Sequence, residues 1–164
     1  MARKFLSALR NILLGEVDNN GDFYSTAPVD VLVAVHGRLL ALGAQIRAHA
    51  EQAPYSQVAV ELRRIAAEKE ADADALKKRI ESYDAQTRPQ RSLSVSGKNH
   101  WERMTRDLHD QKLLDDVLQQ QEARLAAGEP EIAQLIAQLR AHQAPHRKTL
   151  TTLVAVADPQ ATQT

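Results

Sequence analysis

The sequence predicts an all-α protein, an antiparallel four-helix bundle preceded by a short N-terminal amphipathic helix. Three observations carry this. The first is vocabulary: of 164 residues 43% are hydrophobic but only 4% aromatic, and Ala, Leu, Gln, Glu, Lys and Arg dominate. These side chains lose little rotamer freedom in a helix. The second is periodicity, since apolar residues recur at alternating threes and fours over four long stretches. The third is punctuation, because Pro and Gly fall between those stretches and hardly within them.

The elements follow in order. Residues 2–14, ARKFLSALRNILL, set Phe5, Leu6, Leu9, Ile12 and Leu13 on one helical face, with Arg3, Lys4 and Arg10 off it. A polar, turn-rich linker follows, so residues 1–27 read as helix plus linker, 28–157 as the bundle and 158–164 as a tail. The first bundle helix opens at Pro28, a residue suited to position N1, and runs to about Gln52 before Pro54. The second runs from about Ser56, an expected N-cap, to about Tyr83. The third spans about Lys98 to Ala127 and stops at Gly128; the fourth runs from Pro130 to about Ala157. Short first and last connections with a longer middle one predict two helical hairpins joined by a crossover.

Composition excludes several classes. Twenty-one basic residues balance twenty-one acidic ones, so no global field favours nucleic acid. The absence of cysteine removes disulfides and thiol chemistry. No uninterrupted apolar run is long enough for a bilayer, and no cleavage site follows the basic N-terminus, which leads to the expectation of a cytoplasmic protein. Residues Asp18 to Asp22 echo a calcium loop but lack its glycine position and closing glutamate, so a plain turn is expected.

One buried seam per helix is expected: Leu32, Val35, Leu39, Leu42, Ile46 and His49; Val58, Leu62, Ile65, Lys69, Asp72 and Leu76; Trp101, Met104, Leu108, Gln111, Asp115 and Leu118; Ile132, Ile136, Leu139, Gln143, His146, Leu150 and Leu153. Three seams break at one height, at Lys69/Asp72, Gln111/Asp115 and Gln143/His146. A buried charge or amide needs a partner, so three interruptions at one level predict a shared polar network or a pocket.

The segments LRRIAAEKEADADALKKRI (62–80) and LRAHQAPHRKTLTTL (139–153) resemble the second and fourth helices of the ferritin-like, rubrerythrin-like superfamily, whose di-iron ligands come as one glutamate on one helix and a Glu-x-x-His pair on the next. The resemblance implies the fold and places that pattern on Leu39, on Lys69 with Asp72, on Gln111, and on Gln143 with His146. Only His146 is then a ligand of the family's type. Hard cations need several carboxylates, so the expectation is no catalytic residue and no cofactor, with a polar cluster of Lys69, Asp72, Asp107, Gln111, Gln143 and His146 in place of the metals. Lys69 is expected to pair with Asp72 and with Asp107. The alternative keeps iron or manganese on a reduced set, Asp72, Asp107, Asp110, His142 and His146.

His142 and His146 also have the i, i+4 spacing of zinc helices, but Gln143 replaces the glutamate base that a protease requires. Glu68, Glu70 and Asp74 read as solvated helix surface. The functional expectation is a non-catalytic protein that acts by binding, scaffolding or self-association. Arg3, Lys4, Phe5, Leu6, Leu9, Arg10, Ile12 and Leu13 form the expected contact with a protein partner or, peripherally, with an anionic membrane. A divergent iron-handling protein and a peripheral membrane protein are the competing readings.

Overall fold

The computed structural model describes residues 27–88 and 97–157. It holds four helices: α1 Pro28–Glu51, α2 Ser56–Glu81, α3 His100–Leu125 and α4 Pro130–Ala157. No strand occurs among the described residues. The expected helix at 2–14, the linker up to residue 26 and the tail 158–164 lie outside them.

Local chemistry sets the ends. Pro28 occupies the first position of α1, where its missing N–H costs nothing. α2 corrects the expected cap. Tyr55, not Ser56, is the N-cap, and no side chain caps that end. α3 begins two residues later than expected because Asn99 is its cap: the Asn99 side-chain oxygen accepts the Glu102 amide at 2.8 Å. Glu102 reaches back to accept the Lys98 amide at 2.8 Å, closing a reciprocal box that satisfies two otherwise orphaned donors. Pro145 sits within α4 without ending it.

Contacts across the bundle fix helix direction. Gln52, the C-cap of α1, and His49 and Gln45 within it meet Arg103, Asp107 and Asp110 of α3 in reverse order, so these helices run antiparallel. Glu68 and Asp72 of α2 meet His146 and Gln143 of α4, again antiparallel. It follows that α2 and α3 are parallel. The chain must therefore travel back along the bundle between them, which explains the long middle connection. α2 has 26 residues, about 39 Å at ~1.5 Å rise, whereas residues 82–99 can span roughly 60 Å at ~3.3 Å each. A tight turn could not make that return.

The core lies along the predicted seams. Every seam residue of α1 is buried. Of the rest, Asp72, Asp115, Leu139 and Leu153 are half-buried. Trp101 departs from the expectation: it stands at the first turn of α3 and is 37% exposed. α1 also corrects the reading of hydropathy. It is the one helix among the described residues long and apolar enough to cross a membrane, and 67% of its most apolar window is buried inside the bundle. Its apolarity is that of a central core helix enclosed by α2 and α3.

Candidate functional site

The mid-bundle layer is built around Lys69. Its side chain has no solvent exposure. The Nζ donates to Gln111 Oε1 on α3 and to Gln143 Oε1 on α4. Each amide passes the polarity on. Gln111 Nε2 donates to Asp115 Oδ1 at 2.9 Å, and Gln143 Nε2 donates to Asp72 Oδ2 at 2.7 Å. Two short chains thus run outward from lysine through an amide to a half-buried carboxylate. Since every amide oxygen and nitrogen here has a stated partner, the orientation of both glutamines is determined by the network.

Lys69 was expected to pair with Asp72 and Asp107 directly. Instead Gln143 stands between Lys69 and Asp72, and Asp107 belongs to a different cluster. Burial pushes the Lys69 pKa from 10.5 down to about 7, against the opposing pull of Asp115, Asp72, Asp107 and Glu68. The geometry agrees with a weakly held proton. Two acceptors face Nζ, enough for the two hydrogens of a neutral amine, while an ammonium carries three donors. Burial likewise raises the Asp115 carboxyl, with Gln111, Arg147 and Lys69 acting in the other direction.

α4 adds two histidines. His146, almost fully buried, sets Nδ1 at 3.2 Å from Gln143 Oε1 and Nε2 at 2.6 Å from Glu68 Oε2. Burial, then the positive charge of Lys69, hold the His146 pKa below its ordinary value despite Glu68. One turn away His142 Nδ1 lies 3.0 Å from Asp72 Oδ1. Glu68, which the charge pattern places on a solvated face, is therefore half in solvent and half in this seam. Its carboxyl is held low by His146 and then by Arg64, with burial opposing.

A second polar cluster sits nearer the α1–α2 turn. The Asp107 carboxylate lies 2.9 Å from His49 Nδ1 through both oxygens, and Gln45 Nε2 donates to Asp107 Oδ1 at 2.9 Å and to Asp110 Oδ2 at 3.0 Å. Arg106 Nε reaches Asp110 Oδ2 at 3.1 Å. Burial raises the Asp107 pKa, opposed by His49 and Gln45. The alternative metal set is thereby divided: Asp107 and Asp110 face α1, whereas Asp72, His142 and His146 lie together between α2 and α4. Gln45 escaped the sequence reading because it stands one position before the seam residue Ile46, and no spacing rule marks a lone glutamine as buried.

The expected partner or membrane contact at Arg3, Lys4, Phe5, Leu6, Leu9, Arg10, Ile12 and Leu13 lies outside the described residues.

No protein-family model matches the chain, and no curated protein does. Among solved structures the chain matches the 2.6 Å structure of Rhodobacter capsulatus bacterioferritin with a TM-score of 0.73 at 18% identity, over 83% of this chain and 88% of that one. The fold is ferritin-like. That bacterioferritin is described with a metal-free dinuclear site and a heme iron in a crystallographic special position. In this ferritin-like bundle Lys69, Gln111 and Gln143 meet in one buried layer at mid-bundle.

Proposed function

We propose that this ferritin-like bundle is non-catalytic and acts by binding, scaffolding or assembly, its central layer serving structure in place of redox chemistry. The observation that supports the reading is the placement of Lys69. A dinuclear iron or manganese centre needs a cluster of carboxylates converging on two hard cations. Here the residues do not fit such a centre. Leu39 supplies no donor atom and is wholly buried. Both glutamines spend their oxygens on Lys69 and their nitrogens on carboxylates. In either protonation state Lys69 directs N–H donors into the space that cations would need. Among the described residues no three His, Asp or Glu side chains converge on one point.

A second reading, iron handling on a reduced ligand set, draws support from the likeness to a bacterioferritin and from Asp72 and His146 standing where that pattern wants ligands. Residues 2–14 are the segment we assign to contact with a partner or an anionic membrane surface, and a cytoplasmic, membrane-peripheral location accords with that reading.

The test is metal analysis of protein purified without chelator, combined with oxygen-dependent oxidation of added ferrous iron. We expect iron and manganese far below one ion per chain and ferrous oxidation no faster than in buffer. About two iron ions per chain, with rapid oxidation, would replace the first reading by the second.

A further inference from the structure

We propose that residues 2–14 dock in the cleft between α2 and α4 of their own bundle, with the face of Phe5, Leu6, Leu9, Ile12 and Leu13 turned into it. The inference rests on the assignment of this segment as a contact surface, and it names the surface that receives it when no outside partner is present.

Of the four sides of the bundle, the one between α2 and α4 is the least closely packed. A cleft of about 450 Å³ opens there, with Leu32 and Val35 of α1 at its floor, Leu76 of α2 on one wall and Leu135 and Leu139 of α4 on the other. The seam directs Leu139 inward, yet it and Leu135 are only half-buried. The α4 wall is thus an apolar edge short of cover.

Position, length and charge together select the occupant. The cleft lies at the end of the bundle where the chain enters: Leu32 stands one helical turn, ~6 Å, beyond Pro28. Residues 15–27 can span roughly 43 Å at ~3.3 Å each, far more than that approach requires. The α4 wall from Leu135 to His142 is about 10 Å long, and the apolar face from Phe5 to Leu13, wound as a helix, is about 12 Å. Residues 2–14 carry Arg3, Lys4 and Arg10 and no acidic side chain. The cleft offers the Asp72 carboxylate, and no lysine or arginine stands among the described residues that line it. Covalent attachment also gives this segment a local concentration that a second copy, arriving from solution, does not have.

Docked in this way, the segment shields the α4 leucines and hides the same apolar face that a partner or an anionic membrane would need. The two contacts compete, so the cleft holds the outside contact in reserve.

The chain has no cysteine, so a pair of introduced thiols reports the contact directly. In the full chain, Leu9→Cys with Gln138→Cys sets one thiol on the apolar face and the other on the exposed rim of the cleft. Ser7→Cys with Gln138→Cys moves the first thiol by two residues, to the opposite side of the same helix. Gln138 is exposed, so both proteins keep the bundle. Under mild oxidation the Leu9 pair should close a disulfide within one chain at least ~10-fold faster than the Ser7 pair, at a rate unchanged by dilution. Equal rates for the two pairs, or disulfides formed only between chains, overturn the proposal. Cosedimentation of the unmodified chain with anionic phospholipid vesicles reads the outside membrane contact separately, and metal analysis decides the non-catalytic reading, so the docking can fail while either of those stands.

Discussion

At the scale of single residues, Lys69 shows how burial and hydrogen bonding trade against charge. Its folded-state pKa, about 7, lies below the 10.5 of the unfolded chain. Between those values the unfolded state holds a proton that the folded state has released. Stability therefore rises with pH across that window, by as much as ~1.4 kcal/mol per pH unit, and the gain is absent below about pH 7, where both states are protonated. Lys69→Met lacks this slope. It also strips the buried Gln111 Oε1 of its donor, at ~1–3 kcal/mol before relaxation, and leaves Gln143 Oε1 only His146 Nδ1. The Asp72 carboxylate keeps Gln143 and His142, so the variant does not strand a buried charge. Urea denaturation with chelator present, at pH 7 and pH 10, should show the wild type gaining on Lys69→Met as pH rises. Parallel pH profiles for the two proteins would refute the assignment.

The residue scale is also where sequence and structure part. Lys69, Gln111, Gln143 and His146 announce themselves as polar letters on an otherwise apolar seam. Which atom bonds which does not follow from that pattern. Seam position says that Lys69 points inward. It cannot say that a glutamine intervenes before Asp72, because a side chain of four carbons reaches several partners at similar cost. Asp107 illustrates the other limit: it lies one turn from Gln111 yet faces His49 of α1, since a helix turns 100° per residue and four residues leave a rotation of about 40°.

At the scale of elements, two glycines of different kinds make a paired prediction. Gly43 lies inside α1 facing α2. A Cβ built there meets Ala66 O and Lys69 Cβ at 3.5 Å, ordinary contact distances. Gly43→Ala should therefore raise stability by ~0.5–1 kcal/mol through the helix propensity of alanine. Gly97 precedes the α3 cap with φ +134, and a Cβ there comes within 2.5 Å of Arg103 Cγ. Gly97→Ala should lower stability, by ~1–3 kcal/mol for the strained backbone. Thermal melts of the two variants should move in opposite directions. A fall in melting temperature for Gly43→Ala would mean that α1 and α2 approach more closely than the structure has them. Helix positions themselves were legible in the sequence to within about two residues, because Pro28, Pro54, Gly128 and Pro130 mark them. The caps were less so: Asn99 is a strong capping residue, yet Lys98 beside it reads as the start of α3, and Ser56 reads as a cap although Tyr55 takes that position in α2.

At the scale of the molecule, two hairpins pack so that the parallel pair, α2 and α3, is joined by the crossover. The predicted architecture rests on loop length, and length is decisive here because a return path of about 39 Å excludes a short turn. What loop length leaves open is how one hairpin seats on the other. Leucine seams are permissive, since a slide of one helical turn replaces one set of apolar contacts with a similar set. The network centred on Lys69 is not permissive. Its two amide acceptors come from α3 and α4, both on the opposite hairpin, and a slide of ~5.4 Å would leave a buried amine without its acceptors and break the Gln143–Asp72 bond as well.

One buried nitrogen thus works as a key for the docking of the two halves, and its cost in burial is set against the wrong seatings that it penalises. Replacing the set together, Lys69→Met with Gln111→Leu and Gln143→Leu, removes cost and key at once. Such exchanges of buried polar networks for apolar residues are often neutral or stabilising by ~1–4 kcal/mol. The triple variant should melt no lower than the wild type, while its amide NMR spectrum broadens or doubles as alternative seatings become populated. A single sharp set of resonances would show that leucine packing alone chooses how the hairpins meet. The same key suggests an order of assembly: each hairpin can close on its own short loop, and the pairing of Lys69 with Gln111 and Gln143 is then the late event by which two independently formed halves verify one another.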